Sequence, residues 1–214
     1  MTEPIYRRDR ARLPAAERRR QIMEVTTRLI AERGFWGLSM QDVADGCGLT
    51  VPGLLHHIGS KDGLLIAVLE HRDAEDARSL AAQLGRSLTD DWPAAEALHE
   101  VDLRQMCSAL VRRNATQPEI VRLFAVLEAE SLAPSHPAHA YFAARQDHTV
   151  AVFTALAKGR TDHPQSLARQ IVAMMDGLQI QWLRAPETTD LVEEWESAAE
   201  ALFARHVSTS DRVK

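Results

Sequence analysis

Residues 48–64 read Gly48-Leu49-Thr50-Val51-Pro52-Gly53-Leu54-Leu55-His56-His57-Ile58-Gly59-Ser60-Lys61-Asp62-Gly63-Leu64. Gly46 and Gly48 stop whatever helix precedes the stretch, because glycine adopts positive φ without a steric penalty and lets the backbone turn sharply. Pro52 fits only the first turn of a new helix, where the amide it lacks would have had no partner. That helix therefore begins near Thr50 or Val51. The Thr50 hydroxyl makes the better cap by chemistry, whereas Pro52 as the first helical residue would make Val51 the cap, and both starts remain open. Ser60 then caps a further helix. The stretch thus holds a turn, a short helix and the opening of another.

The segment upstream supplies the missing partner. Ser39 can accept from an exposed first-turn amide, with Asp42 favouring the same positive helix end. Met40, Val43, Ala44 and Cys47 follow at i, i+3, i+4 and i+7, one buried stripe. On the helix after the turn, Leu54, Leu55 and Ile58 are predicted to face the core, which leaves Thr50, Val51, Gly53, His56 and His57 outward. Two short helices joined by a tight turn make a helix-turn-helix unit. Lys61 sharpens this reading. A cation on the first turn behind a Ser60 cap sits against the positive end of the helix dipole and calls for an anion, which a nucleic-acid phosphate would supply.

From about Ala16 to Leu69 the chain resembles the DNA-binding domain of TetR-family transcriptional regulators. The likeness is carried by the helix Arg20 to Arg33 ending at Gly34-Phe35, the run Ser39-Met40-Gln41-Asp42-Val43-Ala44, the turn Gly48-Leu49-Thr50, and Leu54, His57, Ser60-Lys61-Asp62 and Leu64. It implies a dimeric reader of double-stranded operator DNA, with Thr50 to His57 as recognition helix and a larger helical domain holding a small-molecule pocket. The residues expected at DNA are Arg18, Arg20, Ser39, Gln41, Thr50, Val51, Pro52, Gly53, His56, His57 and Lys61. Family members usually carry an aromatic pair and a phenylalanine where this chain has Leu55, His56 and Ile58. Val51, Pro52 and Gly53 offer few hydrogen bonds to base edges, so backbone contacts, thymine-methyl contacts and DNA shape are expected to matter more here.

Charge supports an anionic partner locally. The whole chain carries a formal net charge of −5, but Met1 to Leu64 hold ten Lys/Arg against eight Asp/Glu, and the remainder 15 against 22. Arg7, Arg8, Arg10, Arg12, Arg18, Arg19 and Arg20 crowd the first twenty residues. A basic arm of this kind can track phosphates or enter a minor groove, or simply solubilise a terminus. No apolar run follows these arginines, and nowhere do eighteen apolar residues occur together, so no signal peptide and no membrane span are expected and a cytoplasmic setting is read. Cys47 and Cys107 fall on apolar helix faces far apart in sequence, as buried thiols in a reducing compartment would.

Seven of the ten glycines lie between Gly34 and Gly63, and only Gly85, Gly159 and Gly177 are spread over the remainder. A small turn-dense domain followed by a longer helical one explains this. The expected division is a flexible basic arm over 1–15, the helix-turn-helix domain over 16–60, an effector-binding and dimerisation domain over 61–207 and a disordered tail over 208–214. Pro93, Pro118, Pro137, Pro164 and Pro186 each stand where a helix could begin. The apolar periodicities predict an all-α fold of about nine helices: an N-terminal three-helix helix-turn-helix domain plus a larger C-terminal helical domain. The fourth helix, from about Lys61 to Leu84, links the two.

Two further expectations concern the larger domain. Val152, Phe153, Leu156, Met174, Leu178 and Trp182 are too apolar together for an isolated surface, and the resemblance places such late helices, with the stretch Met175 to Trp182, in a four-helix dimer interface. Met106, Leu110, Phe124, Leu127, Phe142, Arg145 and His148 belong to the three helices that most often surround the family's cavity. Met106 and Phe124 would give an adaptable apolar site, and Arg145 or His148 would fix an anionic or polar group. The function read from these features is a ligand-responsive DNA-binding regulator, a repressor that binds a pseudo-palindromic operator as a homodimer and is released by a small-molecule effector.

Other classes fit less well. His136, His139, His148 and His163 gather around a loop, but without cysteine or carboxylate at ligand spacing they read as solvated side chains, and no metal or cofactor is expected. Gly46-Cys47-Gly48 lacks the third glycine of a dinucleotide loop, and neither a nucleophile elbow nor a phosphate-cradling loop is present, so no enzyme is expected. A helical small-molecule carrier with weakened DNA binding is the alternative, favoured by Leu55, Ile58 and the weakly polar recognition helix.

Overall fold

The computed structural model describes residues 13–83, 85 and 101–204. Among them are nine α-helices and no strand: α1 (Ala15–Arg33), α2 (Met40–Cys47), α3 (Val51–Ile58), α4 (Lys61–Gln83), α5 (Leu103–Ala115), α6 (Pro118–Glu130), α7 (His139–Ala157), α8 (Pro164–Arg184) and α9 (Leu191–Ala204). The arginines at 7, 8, 10 and 12, Pro93 and the tail over 208–214 lie outside the described residues.

Local chemistry sets most helix ends. The Asp102 carboxylate accepts from the Gln105 amide 3.0 Å away to start α5, and Asp190 accepts from Val192 and Glu193 at 2.8 and 3.1 Å to start α9. Pro118 and Pro164 open α6 and α8 as expected, whereas Pro137 stands just ahead of α7 and Pro186 in the turn after α8, where Asp190 rather than the proline begins the next helix.

Two apolar cores organise the chain. Ile22, Ile30, Val43, Cys47 and Leu54 of the first three helices, with Phe35 from the turn after α1, close around Leu64, Leu65, Val68 and Leu69 of α4, and the same core takes in Leu123, Leu127 and Phe142 from α6 and α7. Leu80 of α4 instead belongs to the second core with Met106, Cys107, Phe153, Ile171 and Trp195. One rigid rod therefore has its beginning in one core and its end in the other. α1 packs along α6, α7 and α8 form an extensive antiparallel pair, and α9 covers α5 and α8. Both cysteines are buried thiols, as their apolar stripes predict.

Candidate nucleic-acid interface and interior cavity

The α2–α3 turn follows from its glycine and threonine. Gly48 adopts the left-handed conformation with φ 64° and ψ 31°, and the Leu49 amide donates back to the Ala44 carbonyl at 2.8 Å. The Thr50 hydroxyl accepts from the Gly53 amide at 3.2 Å, so Thr50 is the cap and Pro52 lies inside the first turn. Leu54 is fully buried and fixes the helix to the core, while Pro52, His56 and His57 are exposed and Val51 and Gly53 half-buried. Leu55 departs from expectation: it is 37% exposed. A step of one residue turns a helix by about 100°, so Leu54 and Ile58, four apart, share the inner face and Leu55 falls off it.

The other expected DNA residues occupy defined positions. The Ser39 hydroxyl accepts from the Asp42 amide at 3.0 Å and caps α2, and the Gln41 amide donates to Asp45 at 2.8 Å on the exposed side of that helix. Arg20 is exposed beside Glu24, 3.8 Å away. Arg18 is committed inside the domain: its guanidinium donates to the Cys47 carbonyl at 3.1 Å and to Gln21 at 2.6 Å, tying α1 to the C-terminus of α2. The Ser60 hydroxyl accepts from the Gly63 amide at 3.0 Å, and the Lys61 ammonium stands 4.4 Å above the centre of the Phe35 ring.

Phe35 belongs to a joint between the domains that sequence reasoning did not find. Gly34 ends α1 with φ 71°, and the next amide, of Phe35, donates to Glu130 Oε2 at 2.8 Å from the end of α6. His136 is buried against the Phe35 and Trp36 rings, at centroid distances of 5.2 and 5.5 Å, and its Nε2 is 3.7 Å from Glu130. It is not the solvated loop histidine expected, because aromatic rings and the turn close over it. Burial pulls its pKa down, partly opposed by the Glu130 and Asp62 carboxylates. No group of three metal-ligating side chains occurs among the described residues.

A cavity of about 450 Å³ lies between α4, α5, α6, α7 and α8. Met106, Leu110, Phe124, Arg145 and His148 line it. Leu127 and Phe142 do not; they belong to the first core, where Phe142, one turn before Arg145 and Gln146 on α7, meets the lining residue Phe124 at a ring-centroid distance of 6.2 Å. Phe153, expected at a dimer interface, is buried in its own subunit and lines the cavity together with Val152. Leu156 and Trp182 are likewise buried within the chain, because α7 and α8 bury them against α5 and α9 in the second core. Of that expected group, Met174 is exposed and Leu178 half-buried, and Ile180 on the same helix is also exposed.

The polar lining was not legible as a stripe. Arg113, buried, is ion-paired with Asp76, which also lies 3.6 Å from Arg72. Desolvation, followed by the like charges of Arg72 and Arg145, lowers Arg113 to about 10. Arg145 Nε lies 3.2 Å from Asp73 Oδ1 and its guanidinium 4.6 Å from the Phe124 ring centre, while the Tyr141 hydroxyl donates to Asp73. Burial and that carboxylate push the tyrosine hydroxyl up. Asn114 donates to Gln179 at 2.8 Å across α5 and α8. Asp176 faces the space from α8 and Glu128 from α6; burial, and then Glu128, push Asp176 up to about 6. Asp176 is a single charge inside an apolar helical run, Val172 to Leu178, and could have been marked by it, whereas Asp73, Asp76, Arg113 and Arg145 lie in polar stretches that single out none of them.

Comparison with known proteins agrees with this architecture. Residues 22–68 match the family model for bacterial regulatory proteins of the tetR family. The HTH-type transcriptional activator FasR of Mycolicibacterium smegmatis is 35% identical over 80 residues, covering 37% of this chain and 36% of FasR. The chain thus aligns with little more than a third of the length of the curated relatives it matches. Solved structures are similar over much more of the fold. A transcriptional regulator from Saccharomonospora viridis in complex with choline superposes with a TM-score of 0.66 at 22% identity, over 90% of this chain and 98% of that one. NalD, the secondary repressor of the MexAB-OprM multidrug efflux pump in Pseudomonas aeruginosa, gives 0.62 at 20% identity, over 90% and 97%.

Proposed function

We propose that this chain, whose residues 22–68 match the family model for bacterial regulatory proteins of the tetR family, is a ligand-responsive repressor that binds a pseudo-palindromic operator as a homodimer. The observation that carries this reading is the outward face of α3. Pro52, His56 and His57 stand clear of the core beside the Thr50 cap and the Lys61 ammonium, a surface with a groove-reading face and a phosphate-binding edge. Arg20, Gln41 and the Ser39 cap extend that edge along α1 and α2. Arg18 acts by holding α2 against α1. Val51 and Gly53 meet the DNA through backbone and methyl contacts.

The exposed Met174 and half-buried Leu178, one turn apart, give α8 the apolar outer strip that a second copy would cover, and two α3 helices would then meet successive major-groove faces about 34 Å apart. The cavity is the effector site, and the choline-bound relative supports a small organic occupant. Binding there shifts α4, which reaches both cores, and so moves the α3 pair out of register. A mobility shift with DNA flanking the chain's own coding region, repeated at rising salt, tests the reading. A retarded complex whose affinity falls with salt supports it, and unshifted DNA at low salt favours the helical carrier instead.

A further inference from the structure

We propose that the cavity takes a hydrophobic organic cation, an amine or quaternary ammonium with an apolar body, and that Glu128 and Asp176 receive its charge. The inference rests on the cavity being the effector site and comes from pairing the charges that line it. Both arginines in the lining are already occupied: Arg113 by Asp76, and Arg145 by Asp73 on one side and the Phe124 ring on the other. Asp76 is likewise engaged, between Arg113 and Arg72. Glu128 and Asp176 remain. Among the described residues neither carboxylate has a hydrogen bond or an ion pair.

Two carboxylates facing one space repel each other, and the only arginine acting on Asp176, Arg145, does so from beyond ion-pair distance while paired with Asp73, so a cation between them relieves the repulsion. The reluctance of Asp176 to ionise comes from burial first and Glu128 second, partly opposed by Arg145. The walls suit such a guest. Phe124 and Phe153 offer ring faces, and Met106 and Met175 offer polarisable thioethers to an apolar body. An anionic guest would meet two carboxylates and two arginines that already have carboxylate partners, so a cation is the better match to this lining.

The test compares three near-isosteric probes by titration calorimetry on the full chain at neutral pH: phenylbutylamine, phenylbutanol and phenylbutyrate. The amine is expected to bind at least about ten-fold more tightly than the other two. Asp176→Asn and Glu128→Gln are each expected to weaken the amine about ten-fold while leaving the alcohol within about two-fold, with melting curves verifying that both variants fold. At about pH 5 the wild-type preference for the amine shrinks as Asp176 takes up a proton, with Glu128 and Arg145 its charged neighbours and Asp76, Arg113 and His148 the other titratable groups lining the space. Phenylbutyrate binding as tightly as the amine, amine binding unchanged in both variants, or no binding of any probe overturns the proposal. A parallel mobility shift separates the two readings. Amine binding with unchanged DNA affinity keeps the cation site and removes the regulatory role, and DNA release by phenylbutyrate alone does the reverse.

Discussion

Lys61 gathers three influences on one ammonium: the helix end behind Ser60, the Phe35 ring below it, and whatever anion approaches from outside. The ring holds the side chain over the turn, so a phosphate meets a cation already placed. Lys61→Ala is therefore expected to weaken binding to all DNA sequences alike and to lower the salt slope by about one, read from mobility shifts at several salt concentrations. His57→Ala, on the outward face of α3, should instead change preference at particular bases and leave that slope in place. Glu130 is a different kind of residue. Its carboxylate accepts from the Phe35 amide, so Glu130→Ala leaves that donor without its partner and is expected to cost about 1–3 kcal/mol in denaturant unfolding. Gly34→Ala strains the same joint doubly, through the positive φ and because the new methyl would run into Glu130 Oε1.

At the scale of elements, the α2–α3 turn depends on Gly48, whose Cβ would meet nothing within 4 Å but whose φ is 64°. Strain is then the only penalty of a side chain there. Gly48→Ala is expected to lose about 1 kcal/mol, a melting shift of about 2–4 °C, and Gly48→Asn less, because asparagine tolerates the left-handed region. This element was legible in the sequence because its determinants are local: glycine, threonine and proline at fixed offsets dictate the turn whatever surrounds it. Helix α4 was legible for the same reason. The choice between Thr50 and Val51 as cap needed the coordinates, since both satisfy Pro52. The faces of α7 and α8 were not legible, because an apolar side chain such as Phe153 carries no mark of whether its neighbour is a core, a cavity or a second subunit. The polar cavity lining was hidden differently. Arg113 meets Asp76, and Arg145 meets Asp73, across helices that share no periodicity, and only the packing of α4 against α5 and α7 brings them together.

Over the whole molecule, the proposed regulation runs through α4, which has its beginning in one core and its end in the other. A coupling of about 1–3 kcal/mol carried by α4 is expected to be reciprocal, so operator DNA should weaken effector binding by the same factor as effector weakens DNA binding. The charge left in the cavity also acts on the fold itself. Below the ordinary aspartate range Asp176 is neutral in the folded and the unfolded chain alike and affects stability little. As pH rises towards about 6, the unfolded chain releases that proton freely while the folded chain holds it, so folding loses stability that it does not regain at neutral pH. A shift to about 6 corresponds to a penalty of up to about 3 kcal/mol. Asp176→Asn removes the charge and keeps the shape. The variant is expected to be more stable than the wild type at neutral pH by about 1–3 kcal/mol and equal to it near pH 4, as read from denaturant midpoints at the two pH values. The same substitution is expected to lose the cationic guest. A gain in stability joined to a loss of binding is the signature of a charge retained for recognition rather than for folding, and equal stability of the two chains at neutral pH would show that Asp176 is already neutralised within the free protein.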